Sequence, residues 1–235
     1  MNGGRKMRVL VIALSVAVVL VSSFNIVNSF NKEEKQNTNI LNYHEDNTKN
    51  GEKTHDVGEY IEGKKPLYVD GIVVVNKDYC LPKDYKSDKE KEALAAIDKM
   101  TKDAKHEDVN LNIRSGYRSY KTQENLFNLY ANRDGKEDAS TYSAKPGQSE
   151  HQTGLAYDFT DASLKSVGNW FDDTKEAKWL YENAYKYGFI LRYPPGKTNI
   201  TGYIYESWHY RYVGTEHSNN FIMNCLTLEE YLGIN

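Results

Sequence analysis

The sequence predicts an α+β domain, because strands and helices follow one another irregularly and do not form a series of strand–helix–strand units. Short runs with a period of two, typical of half-buried strands, lie between longer runs with helical spacing. No internal repeat is visible, which argues against a solenoid or a propeller. The 235 residues carry a formal net charge of −3, so there is no basic excess to indicate nucleic acid as a partner.

The N-terminus has the layout of an export signal. Arg5, Lys6 and Arg8 precede an apolar run from Val9 to Val21, and a basic segment followed by an apolar one is typical of such signals. The run is short for a bilayer span, yet no Ala-x-Ala-like cleavage site follows it. We therefore expect residues 1–30 to act as a signal peptide or a signal anchor, with the folded part outside the cytoplasm.

Residues 31–65 are predicted to form a disordered linker between the membrane and the domain. They are rich in Asn, Lys, Glu, Asp and Thr, and such a segment buries too little apolar surface to offset the entropy of ordering it. This leaves residues 66–235 as the folded domain. Cys80 and Cys225 could form a disulfide in an oxidising exterior or be two small buried side chains, and the sequence leaves both open.

The domain is predicted to begin with a hairpin and a helix. Asp70-Gly71 is a turn signal between two strand-like runs, 67–69 and 72–75, which together indicate a β-hairpin. A helix is expected over about 88–106. Its apolar residues at helical spacing are Leu94, Ile97, Met100 and Ala104.

A strand and a second helix are expected to follow. Residues 109–113 alternate apolar with polar side chains and lead into the segment Ser-Gly-Tyr-Arg-Ser at 115–119. Ser119 can cap a helix that runs to about Asn132. Its expected inward side chains are Leu126, Phe127 and Tyr130. Arg118 thus lies at a strand-to-helix junction, a common place to display a side chain to a ligand.

The second half is predicted to contain a loop, three strands and two helices. The loop covers 133–149, and strands are expected at 155–160, 189–193 and 206–213. Asp173 with Glu176 indicates a capping box for a helix ending at Gly188, and Thr227 with Glu230 indicates another for a short C-terminal helix. His217 is expected in a turn.

Two segments carry the residues of a catalytic metal site. Within Ser149–Asp158 and Glu206–His209 the sequence offers two imidazoles, one carboxylate and a spare acid, the side chains of a zinc centre that keeps one position open for water. Glu206 could take a proton from that water and pass it to a departing amine. Because Glu206 and His209 would face opposite sides of a regular strand, either a bend separates them or Glu206 belongs to the preceding loop.

Three motifs resemble one family. Ser-x-His-x-x-Gly-x-Ala-x-Asp at 149–158, Glu-x-x-His at 206–209 and Ser-Gly-Tyr-Arg-Ser at 115–119 look like those of the zinc D-alanyl-D-alanine carboxypeptidases of the VanY-like family. The resemblance extends from about Leu67 to the C-terminus. It implies a small α+β domain with a central antiparallel sheet flanked by helices, shared with D-Ala-D-Ala dipeptidases and Hedgehog-type domains.

The resemblance also implies roles for single residues. By this similarity Glu206 is the catalytic acid/base, and Arg118 contacts either the carbonyl group or the terminal carboxylate of the substrate. The implied zinc ligands are His151, Asp158 and His209. The further substrate contacts that it suggests are Gln123, Ser149 and Tyr203, although Ser149 could equally cap a loop.

These expectations define one leading function and its alternatives. The leading function is that of an exported, monomeric, membrane-anchored or secreted zinc carboxypeptidase, which removes the last D-Ala from peptidoglycan stem peptides ending in D-Ala-D-Ala. An L,D-carboxypeptidase that trims the tetrapeptide is the nearest alternative, and a D,D-dipeptidase fits less well with an exported chain. A zinc-stabilised cell-wall binding module without catalysis is the alternative from another class, and the acid at Glu206 argues against it.

Overall fold

The computed structural model describes residues 65–224 and 226–234. The predicted leader and all but the last residue of the predicted linker lie outside these ranges, and so does Cys225, so neither those segments nor the disulfide can be compared with the structure. Among the described residues, no helix is long and apolar enough to cross a bilayer.

The described residues form a mixed arrangement of helices and strands. The strands are β1 (Leu67–Val69), β2 (Ile72–Val74), β3 (Asn112–Ser115), β4 (Ala156–Thr160), β5 (Phe189–Leu191) and β6 (His209–Tyr212). The α-helices are α1 (Glu90–His106), α2 (Tyr120–Asp134), α3 (Lys136–Tyr142), α4 (Lys175–Asn183), α5 (Thr198–Thr201), α6 (Thr215–Asn224) and α7 (Leu228–Leu232). Single 3₁₀ turns cover Glu150–Thr153, Asn169–Phe171 and Ala184–Tyr187.

A four-stranded antiparallel sheet lies at the centre, in the order β3-β4-β6-β5. Strands β1 and β2 form a separate hairpin. Asp70 and Gly71 both have positive φ at its turn, 49° and 75°, which is the backbone that a two-residue hairpin requires. The predicted hairpin and the central antiparallel sheet are thus both present.

The two faces of the sheet have different roles because side chains alternate along each strand. Tyr157 and Phe159 of β4 point into the larger core, where Phe189 and Tyr210 join them. Helices α1 and α4 cover this face with the buried side chains Ala93, Ile97, Met100, Ala104, Ala177, Trp179 and Leu180. The opposite face of β4 and β6 carries polar side chains, among them the predicted ligands Asp158 and His209.

A smaller core joins the hairpin to the C-terminus. Its buried members are Ile72, Val74, Ile190, Val213, Phe221, Leu228 and Leu232. Helix α7 begins with the predicted capping box: Thr227 accepts a hydrogen bond from the backbone N–H of Glu230, and Glu230 accepts one from that of Thr227. This cap fixes α7 against the hairpin and β5.

Two elements are shifted relative to their prediction. In α1, Leu94 is 47% exposed and Ala93 is buried, so the predicted inward position of Leu94 is wrong, and the inward face follows Ala93, Ile97, Met100 and Ala104. The strand expected at 109–113 begins only at Asn112. Val109 and Leu111 are still buried, because they enter the core just before the chain joins the sheet.

Two helices form where the sequence predicted a loop or a turn. The polar segment 133–149 contains α3, which buries Ala139, and His217 lies in α6 rather than in a turn. The predicted capping box at Asp173 is also wrong, because Thr174 caps α4 by accepting from the N–H of Ala177. Glu176 turns inward instead and accepts a hydrogen bond from the backbone N–H of Asn110.

Candidate metal centre

Strand pairing brings two of the predicted ligands together. Asp158 of β4 lies directly opposite His209 of β6 in the antiparallel register, where β-carbons approach to roughly 5 Å. His151 reaches the same place from the 3₁₀ turn Glu150–Thr153. Gly154 ends this turn with a φ of 71°, a left-handed conformation that glycine adopts without strain, and the chain enters β4 two residues later.

His151, Asp158 and His209 converge on one point. Their ligand atoms all lie within 4.8 Å of one another, and all three residues are buried. Nε2 of His151 is 3.3 Å from one carboxylate oxygen of Asp158, and Nδ1 of His209 is 3.1 Å from the other. Tetrahedral zinc with bonds of roughly 2.0–2.1 Å holds its ligand atoms about 3.4 Å apart. The predicted trio therefore fits a zinc ion with little movement.

The hydrogen bonds of His151 leave the correct nitrogen for a metal. Nδ1 lies 2.8 Å from the carbonyl oxygen of Gly116, and because a carbonyl can only accept, Nδ1 must carry the proton. Nε2 then has its lone pair directed towards Asp158. Burial lowers the pKa of His151, although Asp158 opposes this. A neutral imidazole oriented by a backbone carbonyl is the usual form of a metal-binding histidine.

Asp158 and His209 shift each other's pKa values in opposite directions. Burial acts to raise the pKa of Asp158, but the charges and hydrogen bonds of His151 and His209 outweigh it and hold this pKa well below its usual range. Burial acts to lower the pKa of His209, whereas hydrogen bonds with Asp158 and Glu150 raise it to about 9. The carboxylates that raise the pKa of His209 make this pocket negative, and a bound cation would be stabilised by the same charges.

Glu206 lies beside the cluster without belonging to it. Glu206 belongs to the segment before β6, which is one of the two arrangements that the sequence predicted. Its backbone carbonyl accepts a hydrogen bond from the N–H of His209. Its carboxylate is 3.7 Å from Nδ1 of His209 and is only 9% exposed. Burial, with the neighbouring charge of Asp158, raises the pKa of Glu206 to about 8, against the influence of His209 and Arg118. Such a carboxyl group can hold and release a proton near neutral pH.

Arg118 lies near enough to the cluster for the charges of Asp158 and Glu206 to act on it. Its Nη1 donates to Gln123 over 2.7 Å and its Nη2 donates to Ser115 over 2.9 Å, which leaves further N–H groups for a ligand. Its backbone N–H donates to the carbonyl of His151. Burial lowers the pKa of Arg118, and the negative charges of Asp158 and Glu206 counteract this.

The three predicted substrate contacts lie around these groups at different distances. Gln123 is fully buried and donates to the carbonyl of Ala144, so it reaches the site through Arg118. Ser149 is buried immediately before the 3₁₀ turn. The ring of Tyr203 lies 4.9 Å from that of Tyr193, which lies 4.8 Å from the ring of His209. The buried hydroxyl of Tyr203 has no hydrogen-bond partner among the described residues.

The structure adds an ionic group that the motifs did not indicate. Glu150, between Ser149 and His151, is buried and accepts hydrogen bonds from Arg192 and Arg211. One signal was present in the sequence: Arg211 shares a strand face with His209, and an arginine on an inward face needs a buried acidic partner. The identity of that partner depended on the fold.

Comparisons with known proteins agree with this geometry. The profile of the VanY family, described as D-alanyl-D-alanine carboxypeptidase, matches residues 86–215. A putative carboxypeptidase, YodJ of Bacillus subtilis, is 41% identical over 180 residues, which is 68% of this chain and 66% of that protein. A D-alanyl-D-alanine carboxypeptidase of Enterococcus faecalis is 43% identical over 129 residues, 51% of this chain and 46% of that protein.

Solved structures show the same fold. The LdcB LD-carboxypeptidase has a TM-score of 0.64 at 39% identity, covering 72% of this chain and 93% of that one. The D,D-pentapeptidase VanY from a VanB-type resistance cassette, in complex with Zn(II), has a TM-score of 0.60 at 34% identity, covering 68% and 97%. The alignments with the two curated relatives span 66% and 46% of the lengths of those proteins.

Proposed function

The chain belongs to the VanY family of D-alanyl-D-alanine carboxypeptidases, and on this basis we propose that it is a zinc hydrolase that removes the C-terminal D-Ala from peptidoglycan stem peptides ending in D-Ala-D-Ala. One observation supports the proposal most directly: a buried acid, Glu206, lies 3.7 Å from a histidine of the His-Asp-His cluster without being one of its three members, and, unlike Glu150, it forms no ion pair with an arginine among the described residues. A purely structural metal site has no use for such an acid.

Glu206 moves the proton in the proposed reaction. Bound zinc would be held by His151, Asp158 and His209 and would supply a Lewis acid that polarises a carbonyl oxygen and acidifies water. Glu206 takes one proton from the attacking water as the new C–O bond forms, and gives a proton to the departing amine as the C–N bond breaks. Its raised pKa, about 8, suits a group that must both accept and return a proton.

Arg118 orients the substrate. Its guanidinium is held by Gln123 and Ser115, so the N–H groups that remain have a fixed direction. They can bind the terminal carboxylate of the peptide, which would favour removal of a single C-terminal residue, or they can bind the carbonyl oxygen as negative charge develops on it. Tyr203, with its unpartnered hydroxyl, and Ser149 are the further contacts that we propose for the peptide.

The proposed site of action is the cell wall. The export layout of residues 1–30 and the polar composition of residues 31–65 support a secreted or membrane-anchored protein, whose domain at 66–235 acts as a monomer on the wall. An L,D-carboxypeptidase is the second candidate, because the LdcB LD-carboxypeptidase is 39% identical in sequence and 93% of its chain superposes on this structure.

The test is release of an amino acid from defined peptides. We expect the purified chain to release D-Ala from a stem pentapeptide, with mass spectrometry identifying the products. Removal of zinc with a chelator should abolish release, and added zinc should restore it. Release from the tetrapeptide alone would overturn the D,D assignment in favour of the L,D one, and release of the intact D-Ala-D-Ala dipeptide would indicate a dipeptidase.

A substitution of Glu206 tests its acid/base role. Glu206→Gln keeps the size of the side chain but cannot accept a proton, so we expect kcat to fall by at least about 100-fold while bound zinc and the melting temperature remain as in the wild type. Asp161→Asn is the control, because the carboxylate of Asp161, just after β4, accepts hydrogen bonds from nearby Ser163 and is not part of the cluster. Full activity of Glu206→Gln would exclude this role.

A further inference from the structure

The two histidines of the cluster are oriented by different partners. His151 donates from Nδ1 to the carbonyl of Gly116. His209 is reversed: its Nδ1 faces Asp158 and Glu206, at 3.1 Å and 3.7 Å, and its Nε2 faces a carboxylate oxygen, Oε2, of Glu150 at 3.4 Å. An imidazole that binds a metal through one nitrogen carries a proton on the other, and a carboxylate is a common acceptor for that proton.

The carboxylate of Glu150 is itself rigidly held. Its other oxygen, Oε1, accepts from Nε of Arg192 at 2.7 Å and from Nη1 of Arg211 at 2.8 Å. The side chains of all three residues are fully buried. Both guanidinium contacts use the same oxygen, so Oε2 is left to face His209.

The two arginines are fixed by further contacts on other elements. Arg192, just after β5, makes two hydrogen bonds to Glu229 of α7, at 2.9 Å and 2.6 Å. Arg211 of β6 donates from Nη2 to the carbonyl of Val73 in β2 at 2.7 Å. Two carboxylates and two guanidinium groups balance in charge, which is the condition for burying them together. Arg192 is thus anchored to the C-terminal helix and Arg211 to the hairpin, while both hold Glu150 directly.

We propose that Glu150 is the positioning residue of His209: its Oε2 accepts the Nε2–H, which fixes the ring so that Nδ1 presents its lone pair to the metal. The inference rests on the proposed zinc chemistry and extends it to a residue beyond the three ligands and the acid. Because Glu150 and His151 are neighbours in the chain, one short turn supplies a ligand directly and orients a second ligand from a different strand.

The first test uses the unaltered protein. In the zinc-loaded chain, ¹⁵N–¹H NMR of the histidine rings should show opposite tautomers: His209 protonated at Nε2 and bound through Nδ1, and His151 protonated at Nδ1 and bound through Nε2. A His209 ring bound to zinc through Nε2 would overturn the inference and leave the proposed function intact. A chain that binds no zinc, or that releases no amino acid from stem peptides, would instead overturn the proposed function.

The second test compares two variants of the same ionic group. Glu150→Gln and Glu229→Gln each remove one buried negative charge, but only Glu150 contacts a predicted ligand. We expect Glu150→Gln to bind zinc about 10- to 100-fold more weakly by chelator competition, to show an altered visible spectrum when cobalt replaces zinc, and to lose kcat with little change in KM. Glu229→Gln should lose stability, but its zinc affinity should change by no more than about twofold. This change is much smaller than the loss caused by removing a carboxylate that orients a ligand.

The comparison separates positioning from stability alone. Equal zinc affinities and equal cobalt spectra in the two variants would show that the ionic group only stabilises the fold, and the inference would fail. If Glu150→Gln does not fold, the tautomers of the wild-type histidines decide the question.

Discussion

At the scale of single residues, hydrogen bonds within the protein hold Arg118 in one orientation before its proposed ligand binds. The Nη1 and Nη2 groups of its guanidinium are held by Gln123 and Ser115, and its backbone N–H is bonded to the carbonyl of His151. Its orientation therefore follows the turn that carries His151, a proposed metal ligand. A lysine at this position would keep the charge but lose the planar, two-pronged geometry.

Arg118→Lys should therefore lower activity severely without unfolding the protein. We expect kcat/KM on the pentapeptide to fall about 100-fold, the effect of removing one oriented donor at a reacting carbonyl. A pentapeptide amidated at its C-terminus divides the two roles of Arg118. The penalty should shrink on the amide if Arg118 binds the carboxylate, and should stay the same if it binds the carbonyl oxygen.

The control for this variant is Arg133→Lys. Arg133 is exposed and pairs with its neighbour Asp134 at the end of α2, and surface ion pairs of this kind contribute roughly 0–1 kcal/mol. We expect its activity to equal that of the wild type. If Arg118→Lys were equally active, Arg118 would have no part in binding or catalysis.

At the scale of elements, the two proposed capping boxes show what a local pattern can and cannot predict. Thr227 and Glu230 form theirs as expected, because Lys197 takes only one oxygen of Glu230 and leaves the other for the backbone N–H of Thr227. Asp173 and Glu176 have the same spacing, yet Glu176 bonds to Asn110, which is 66 residues away. Thr174 takes over the cap. A tertiary contact thus outweighed the local preference, and no local signal reveals it.

The junction between α4 and β5 depends on one glycine. Gly188 ends the 3₁₀ turn with a φ of 88°, and a β-carbon there would lie 2.7 Å from the ring of Tyr212 and 3.1 Å from the backbone of Gly214. Gly188→Ala should therefore destabilise the fold by about 3 kcal/mol, as the sum of left-handed strain and overpacking. Urea denaturation measures this loss.

Gly196→Ala provides a matched control. Gly196 has a similar φ of 74°, but nothing lies within 4 Å of a β-carbon placed there. We expect a loss of only about 1 kcal/mol, from backbone strain alone. Equal losses in the two variants would contradict the assigned steric role of Tyr212 and Gly214.

At the scale of the whole molecule, the sequence predicted the three ligands but not the buried ionic group of Glu150 and its arginines. His151 and Asp158 lie in one short motif and His209 lies in a second one with Glu206, so these motifs and the family that they resemble were sufficient to predict the trio. Glu150 lies 42 residues from Arg192 and 61 from Arg211. Only the antiparallel order of the sheet brings β6 and the end of β5 to this turn.

Zinc binding is therefore expected to stabilise the entire fold. Asp158 and His209 meet only when β4 and β6 pair, and His151 joins them only when its turn is formed, so the unfolded chain offers no comparable site. A ligand that binds the folded state alone at 100 times its Kd adds about 2.7 kcal/mol to the free energy of unfolding. Thermal or urea unfolding with and without zinc should show this increase in the wild type. It should disappear in Asp158→Asn and persist in Asp161→Asn. An equal response to zinc in the wild type and in Asp158→Asn would show that the ion binds elsewhere on the protein.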